Sequence, residues 1–346
     1  MLFRSTDTPR VDVNGKHNGT AKYSIDVHVP GMIYGAILRE PVDGAGVAKV
    51  DDAAARAVDG VLNVVPLKYG VGVLAETPWA AFQGRKALKV TWGSKAQGAG
   101  FSTDGGFAKF SNAAKDPAHP VIDWEKKGDA AAKLKTAASV VDQEYRSDYA
   151  YHAQMEPLNS IAAVSPAGDA VEIWCGVQSQ TIAVQQVAAA LGIAESKVKF
   201  NHYLLGGGFG RLGNRDADFV IVSVLLSKAS GKPVKVIWTR EDDIHAGRFR
   251  PLYVNRLRAG LDTSGNVAGW YHRAVCDHVM AFMDPVRYKI VKGRDPIALL
   301  GTEVPAYDIP DRTIEGVLEH TGMRTNPLRG IGFTADRKST RLNSSH

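Results

Sequence analysis

With 346 residues, 45% of them hydrophobic and 23% charged, the chain has the make-up of a globular protein large enough for two domains. Its two cysteines, Cys175 and Cys276, are too few for a disulfide framework or for an iron–sulfur cluster held by four thiolates. The net charge of +6 is scattered without a basic block, which argues against a nucleic-acid partner, and no apolar run approaches the roughly 18 residues that span a bilayer.

Residues 1–96 read as a compact unit of mixed helix and strand. Runs at 26–29, 32–38, 62–67 and 71–75 predict strands, separated by turn signals such as Pro30-Gly31 and Asp59-Gly60. Thr77-Pro78 predicts a helix start, a capping hydroxyl followed by proline at the first position, with Trp79 and Phe82 on one face as far as about Leu88. A β-type run over 87–92 closes the unit. Residues 97–137, rich in Gly, Ala, Lys and Asp, predict a linker with one or two short helices.

A second pattern begins at Ala138. Strand pieces are expected at 140–141 and 149–152, and a hairpin over 159–165 and 170–175 around Pro166-Ala167-Gly168. A helix over 181–191 puts Ala183, Val187, Ala190 and Leu191 on one face and stops at Gly192. Residues 198–205 alternate as a strand with Val198, Phe200, His202 and Leu204 on one side. Residues 218–229 are apolar nearly all round, predicting a buried helix stopped by Gly231 before a strand at 233–239.

Between those elements lies the loudest local signal, Gly206-Gly207-Gly208-Phe209-Gly210 at a strand end. Backbone without side chains lets amide groups crowd around a ligand and form a nest for anions or metal-oxo oxygens. A rival reading takes Gly208 to Gly213 as the GxGxxG of a NAD-dependent dehydrogenase. Against it, the preceding strand alternates with polar residues, Asn214-Arg215-Asp216 delay the helix, and Glu241 lies too far on for the ribose-binding acid. Glu241-Asp242-Asp243 read as a capped, solvated turn, and His152 as a satisfied core histidine at the edge of a site. A non-catalytic basic binding module is the remaining alternative.

Several segments together carry a resemblance. Tyr151-His152 with Met155-Glu156-Pro157, Val177-Gln178-Ser179-Gln180, the glycine cluster, and Trp238-Thr239-Arg240-Glu241-Asp242 resemble, in that order, the molybdopterin-binding large subunit of the xanthine dehydrogenase/aldehyde oxidase family. Within it they look most like the beta subunits of isoquinoline 1-oxidoreductase and nicotinate dehydrogenase. Asn18-Gly19-Thr20-Ala21-Lys22-Tyr23 and Trp79-Ala80-Ala81 with Gly84-Arg85-Lys86-Ala87 resemble that family's α/β hammerhead domain. The match covers about 10–335. The fold it implies is α+β: a hammerhead domain over 1–96, then after the linker part of a molybdopterin-binding domain over 138–335.

The resemblance implies a molybdenum hydroxylase that oxidises an N-heterocycle or aldehyde carbon with water as oxygen source. The cofactor it implies is molybdopterin, as the molybdenum cytosine dinucleotide in bacteria, and a small [2Fe-2S] subunit would carry the electrons away. By position, Gln178 would donate its side-chain amide to an oxo ligand, Phe209 and Gly210 would offer backbone amides, Gly206, Gly207 and Gly208 would admit the pterin, and Arg329 would orient substrate. Gly213 stands where some purine-oxidising members carry a glutamate, which speaks against purines.

The ends carry expectations of their own. Asp336 to His346 reads, codon for codon, as the translation of a DNA-sequencing adapter, so 336–346 is expected to be a non-native tail. The gene would then be cut near Ala335, before the family's catalytic glutamate, and the chain alone would be inactive. Met1 to Arg10 is polar, and relatives of this kind carry a further N-terminal region, often with an export signal, which leaves periplasm and cytoplasm both open.

Overall fold

The computed structural model describes residues 10–303, 307–328 and 330. Two sheets organise them. In the larger, seven strands run in the order Val198–His202, Val171–Cys175, Asn159–Val164, Val234–Ile237, Ile33–Arg39, Gly70–Ala75, Val61–Leu67. The two halves of the chain meet inside this sheet. Ile33–Arg39 pairs in parallel with Val234–Ile237 and antiparallel with Gly70–Ala75. The strands expected at 32–38, 62–67 and 71–75 therefore form as read, but they do not own a sheet of their own.

Helix Asp218–Ser230 lies across this sheet, and Phe219, Val220, Val222, Val224 and Leu226 are all buried in one core with it. Helix Gln180–Leu191 packs on the same core through Ala183, Val187 and Ala188. That double burial explains why the sequence 218–229 is apolar on every face. Glycine sets the approach: a Cβ at Gly72 would collide with the Leu226 side chain. The serines of the buried helix are satisfied, Ser223 Oγ sharing a hydrogen bond with Ser160 Oγ at 2.9 Å and Ser227 Oγ accepting the Val164 N–H at 2.9 Å.

The smaller sheet orders Ile122–Lys127, Arg312–Glu319, Val267–Asp277, Tyr253–Leu261 and Ser139–Ser147. The stretch read as a linker forms the two helices expected of it, but they pack on this sheet and one of its strands comes from the same stretch. Residues 97–137 hold helix Thr103–Lys115, edge strand Ile122–Lys127 and helix Ala130–Thr136. Phe110, Ala113 and Ala114 make a narrow apolar stripe that seals against Leu252, Val254, Val275 and Val317. Small residues hide such a stripe from a composition-based reading.

Other differences are local. Residues 26–29 do not form a strand; Ser24–Asp26 is a single tight helical turn in which the Asp26 carboxylate accepts the Tyr23 N–H at 3.0 Å. The strand expected over 198–205 ends at His202, because the chain must turn into the glycine loop. Thr77 caps helix Pro78–Ala87 by accepting the Ala80 N–H at 3.1 Å, as read. Yet Ala80, Ala81, Gly84 and Arg85 form its buried face, and Trp79 stands out at 70% exposure. Ala190 is likewise exposed. A ribbon of Val47–Asp51 with Lys89–Trp92 flanks the first sheet; only its second strand is legible in the sequence.

Candidate functional site

The loop between Val198–His202 and Asp218–Ser230 leaves the core at the end of an edge strand and is pinned from both sides. Glu156 accepts the Gly206 N–H at 2.7 Å, and its own N–H donates to the Gly206 carbonyl at 3.0 Å. The other carboxylate oxygen of Glu156 takes the Ile25 N–H at 2.9 Å and the Asn159 amide at 3.0 Å, tying the loop to both halves of the chain. Gly207, Phe209 and Gly210 adopt left-handed backbone, with φ of 104°, 53° and 116°. For a phenylalanine that conformation is strained, and such strain concentrates at functional sites.

The glycines serve the protein's own packing first. A Cβ at Gly206 would strike Glu156, one at Gly208 would lie 2.7 Å from Gln178 Oε1, and one at Gly210 would overlap the Pro327 carbonyl. The space they free is thus taken up by the loop's neighbours as well as facing the cleft.

Gln178 closes the loop. Its Oε1 accepts the N–H groups of Gly210 at 3.0 Å and Leu212 at 3.2 Å, while its backbone N–H donates to the Leu212 carbonyl at 3.0 Å. With Oε1 held twice, the amide orientation is fixed and Nε2 is left without an acceptor among the described residues. The same holds for the N–H groups of Gly207, Gly208 and Phe209. The Gly210 N–H, expected to face a ligand, is instead given to Gln178.

Gln178, Gly208 and Phe209 border a cleft of about 730 Å³. Gln178, Gly208, Phe209 and Gly210 form one wall, and Pro296, Ile297, Leu300, Pro327 and Leu328 face them. Phe209 presents its ring there, half exposed. Arg329 lies outside the described residues, as does 336–346, but the residues on either side of Arg329 line the cleft.

Beneath the loop sits a buried charge network that local sequence spacing does not reveal. Arg211 is fully buried and forks onto Asp218 with bonds of 3.0 and 3.1 Å. Its Nε reaches Asp243 at 3.4 Å. Asp218 also pairs with Arg39 at 2.9 Å, and Asp243 accepts from Tyr151 Oη at 2.7 Å and from Gln154. Burial opposes every charge here, but Arg211, Arg248 and Arg39 overcome it and hold the Asp218 carboxyl far below the usual range. Burial likewise works against the Arg211 charge, and Asp218 and Asp243 outweigh it, raising its pKa.

This corrects the reading of Glu241-Asp242-Asp243. Thr239 does cap helix Arg240–Ala246, accepting the Asp242 N–H at 3.2 Å. Asp242 and Asp243 are nonetheless buried and ion-paired, to Arg85 and Arg211 respectively. His152 is buried in the core, as it was read. Its ring nitrogens lie 3.1 Å from the Arg248 carbonyl and 3.0 Å from the Pro327 carbonyl, and burial lowers its pKa. Together with the Pro327 carbonyl it packs beside Gly210.

The network also removes the dinucleotide alternative. The N-terminus of helix Asp218–Ser230 starts on Ala217 at φ 46°, and its first carboxylate faces three arginines. A pyrophosphate would have to displace Asp218. Among the described residues there is no group of three or more His, Cys, Asp or Glu side chains arranged to hold a metal, and no helix is long and apolar enough to cross a membrane.

Comparison with known proteins follows the same lines. Residues 112–334 match the family model described as the molybdopterin cofactor-binding domain. The match begins within the stretch read as a linker. Over 94% of its length the chain is 32% identical to isoquinoline 1-oxidoreductase subunit beta of Brevundimonas diminuta, covering 42% of that protein. Over 96% of its length it is 35% identical to the membrane-bound aldehyde dehydrogenase [pyrroloquinoline-quinone] of Gluconacetobacter polyoxogenes, covering 44%. The chain thus spans about two fifths of the length of these curated relatives. Among solved structures, quinoline 2-oxidoreductase from Pseudomonas putida 86 superposes with a TM-score of 0.71 at 18% identity, over 98% of this chain and 48% of that one. That likeness is one of fold.

Proposed function

The chain belongs to the family of molybdopterin cofactor-binding domains, and from that membership we propose that Gln178 and the loop 206–210 hold the molybdopterin of a hydroxylating oxidoreductase. The single observation that carries the assignment is the set of unpaired donors. Gln178 Nε2 and the N–H groups of Gly207, Gly208 and Phe209 point to no acceptor in the described protein, on a loop whose backbone is strained into place. The molybdenum carried by a bound molybdopterin would supply the two-electron redox chemistry, held by the cofactor's own dithiolene rather than by protein side chains.

The chain's residues then do three things. The N–H groups of Gly208 and Phe209 and the Gln178 amide offer fixed hydrogen bonds to an electron-rich group, and donors aligned beforehand cost no reorganisation when charge builds up. The double hold on Gln178 Oε1 by Gly210 and Leu212 keeps its Nε2 from swinging away. Phe209, Ile297, Leu300 and Leu328 give the cleft an apolar lining. Arg329, between two cleft-lining residues, is assigned to orienting substrate.

The reading extends to the whole enzyme. The substrate is an N-heterocycle or an aldehyde, hydroxylated with water as the oxygen source, and the cofactor is the cytosine dinucleotide form. Cys175 and Cys276 are both buried and free, so electrons are expected to leave through a small [2Fe-2S] subunit. The test is metal and pterin analysis of the protein purified from a host that makes the cofactor, alongside Gln178→Ala. Molybdenum and pterin present in the parent and depleted in the variant, with unchanged circular dichroism, support the assignment. Equal content in both refutes the role given to Gln178.

A further inference from the structure

The cleft wall that faces Gln178 is carried by helix Pro296–Leu299, and four residues of helix have no stability of their own in water. Its place is imposed from outside, and Asp295 supplies the anchor. This side chain is fully buried, and each of its carboxylate oxygens accepts two backbone N–H groups. Oδ1 takes Ile297 at 3.1 Å and Ala298 at 3.0 Å, which caps the helix. Oδ2 takes Val279 at 2.7 Å and Met280 at 2.6 Å, just beyond the end of strand Val267–Asp277. One carboxylate thus ties the wall to the smaller sheet. A side-chain amide could not take its place, because only one of its two ends accepts.

The inner face of the helix is filled to match. Ala298 and Leu299 are buried in one cluster with Tyr253, Ala274 and Cys276, and Tyr253 Oη donates to the Ala298 carbonyl at 2.6 Å. A Cβ at Gly316 would collide with Leu299, so the neighbouring strand lies flush against the helix. With that face committed, Leu300 is turned outward. It is 55% exposed and lines the cleft, while Ile297 beside it rests partly on the core. Apart from Gln178, the described residues that line the cleft are glycine, proline or apolar. An exposed leucine on a rigid mount is a contact for the apolar part of a substrate, because covering it removes both surfaces from water.

We propose that Leu300 is a specificity-determining residue, favouring substrates with an extended apolar ring system, and that Asp295 is the positioning residue that holds it in the cleft. The proposal rests on the reading of this cleft as the site of hydroxylation. A second fused ring adds apolar surface for Leu300 and Ile297 to cover. Asp295 makes none of the hydrogen bonds that fix Gln178 and the glycine loop. Loss of its hold should therefore weaken substrate binding and leave the chemical step nearly unchanged.

The test compares kcat/KM within pairs that differ by one fused ring, benzaldehyde with 2-naphthaldehyde and pyridine with isoquinoline. The enzyme is one whose large subunit continues this chain through the family's catalytic glutamate. The parent should favour the two-ring member of the pair it turns over by about tenfold, and Leu300→Ser should lower that preference by about fivefold. Asp295→Asn should raise KM for the two-ring substrate by about fivefold with kcat kept within about twofold. It should add little in a Leu300→Ser background, since both changes act through one contact. A loss of folded protein alone would lower kcat and leave KM and the preference unchanged. Tyr253→Phe, which removes the bond to Ala298, should give the same split in weaker form and decides the positioning role if Asp295→Asn does not fold. Turnover without preference, an unaltered preference in Leu300→Ser, or additive effects of Asp295→Asn and Leu300→Ser overturn this proposal alone. No turnover of either pair overturns the reading of the cleft and the proposal with it.

Discussion

Gln178 and Gly210, 32 residues apart, are joined by one hydrogen bond in which the Gly210 N–H donates to Gln178 Oε1 at 3.0 Å. The bond spends the amide's acceptor on the protein and reserves its donor for the cleft. Exchanging only the donor should therefore separate stability from cofactor binding. Gln178→Glu keeps an acceptor for Gly210 and Leu212 and should melt close to the parent. Gln178→Leu leaves both N–H groups without their partner and should lose about 1 kcal/mol at this partly exposed site. Both variants should retain less molybdenum than the parent; a Gln178→Glu protein loaded to the parent's level would refute the assignment of the donor.

Phe209 and Gly210 should respond in opposite ways to substitution. Gly210→Ala places a Cβ on the Pro327 carbonyl at φ 116° and should cost at least about 1–3 kcal/mol in urea denaturation. Phe209→Asn puts a residue that tolerates left-handed backbone at φ 53° and should not lower the urea midpoint, while removing a ring from the cleft should reduce turnover of the assembled enzyme. A parent-like midpoint for Gly210→Ala would show that the wall at Pro327 yields more easily than the geometry indicates.

The network under the loop should behave as a buried ion cluster. Arg211→Met removes the guanidinium that bridges Asp218 and Asp243 and leaves Asp243 without its arginine, which should cost about 3–5 kcal/mol. Equilibrium unfolding in urea reads this directly. A loss below about 1 kcal/mol, the scale of exposed pairs, would mean that water enters the cluster.

His272 predicts a pH dependence unrelated to the cleft. Burial pushes its imidazole pKa down to about 4, with Nδ1 near the Thr302 carbonyl at 3.2 Å and Nε2 near Asn255 Oδ1 at 2.9 Å. Between that value and the ordinary histidine value the unfolded chain binds a proton that the native state does not. Stability should therefore rise with pH across this window and be lost as pH falls from about 6.5 toward 4, by up to roughly 3 kcal/mol. His272→Gln should flatten the slope of unfolding free energy over that range; an unchanged slope would assign the acid sensitivity elsewhere.

What the sequence discloses and what it hides divide along the range of the interactions. Thr77-Pro78, Gly192 and Gly231 mark helix ends correctly because capping is settled within a turn. The glycine cluster and Gln178 stand out through local composition and the resemblance to a family, and the fold brings them together across 32 residues. The pairing of Ile33–Arg39 with Val234–Ile237 is invisible, since nothing local chooses a partner that distant. A helix within 97–137 is legible, but the core it helps to build is not: the worth of the small apolar residues of Thr103–Lys115 appears only against Leu252 and Val275. Asp243 looked solvated because its counter-charge, Arg211, lies on another element. The use of Gly206, Gly208 and Gly210 for internal packing likewise needed the positions of Glu156, Gln178 and Pro327.

Molybdenum content set against turnover, in enzyme whose large subunit continues this chain through the family's catalytic glutamate and is made in a cofactor-producing host, tests the central claim most directly. The account predicts about one molybdenum per chain, with activity rising and falling in proportion to it across preparations. Full turnover from protein stripped of molybdenum would contradict it.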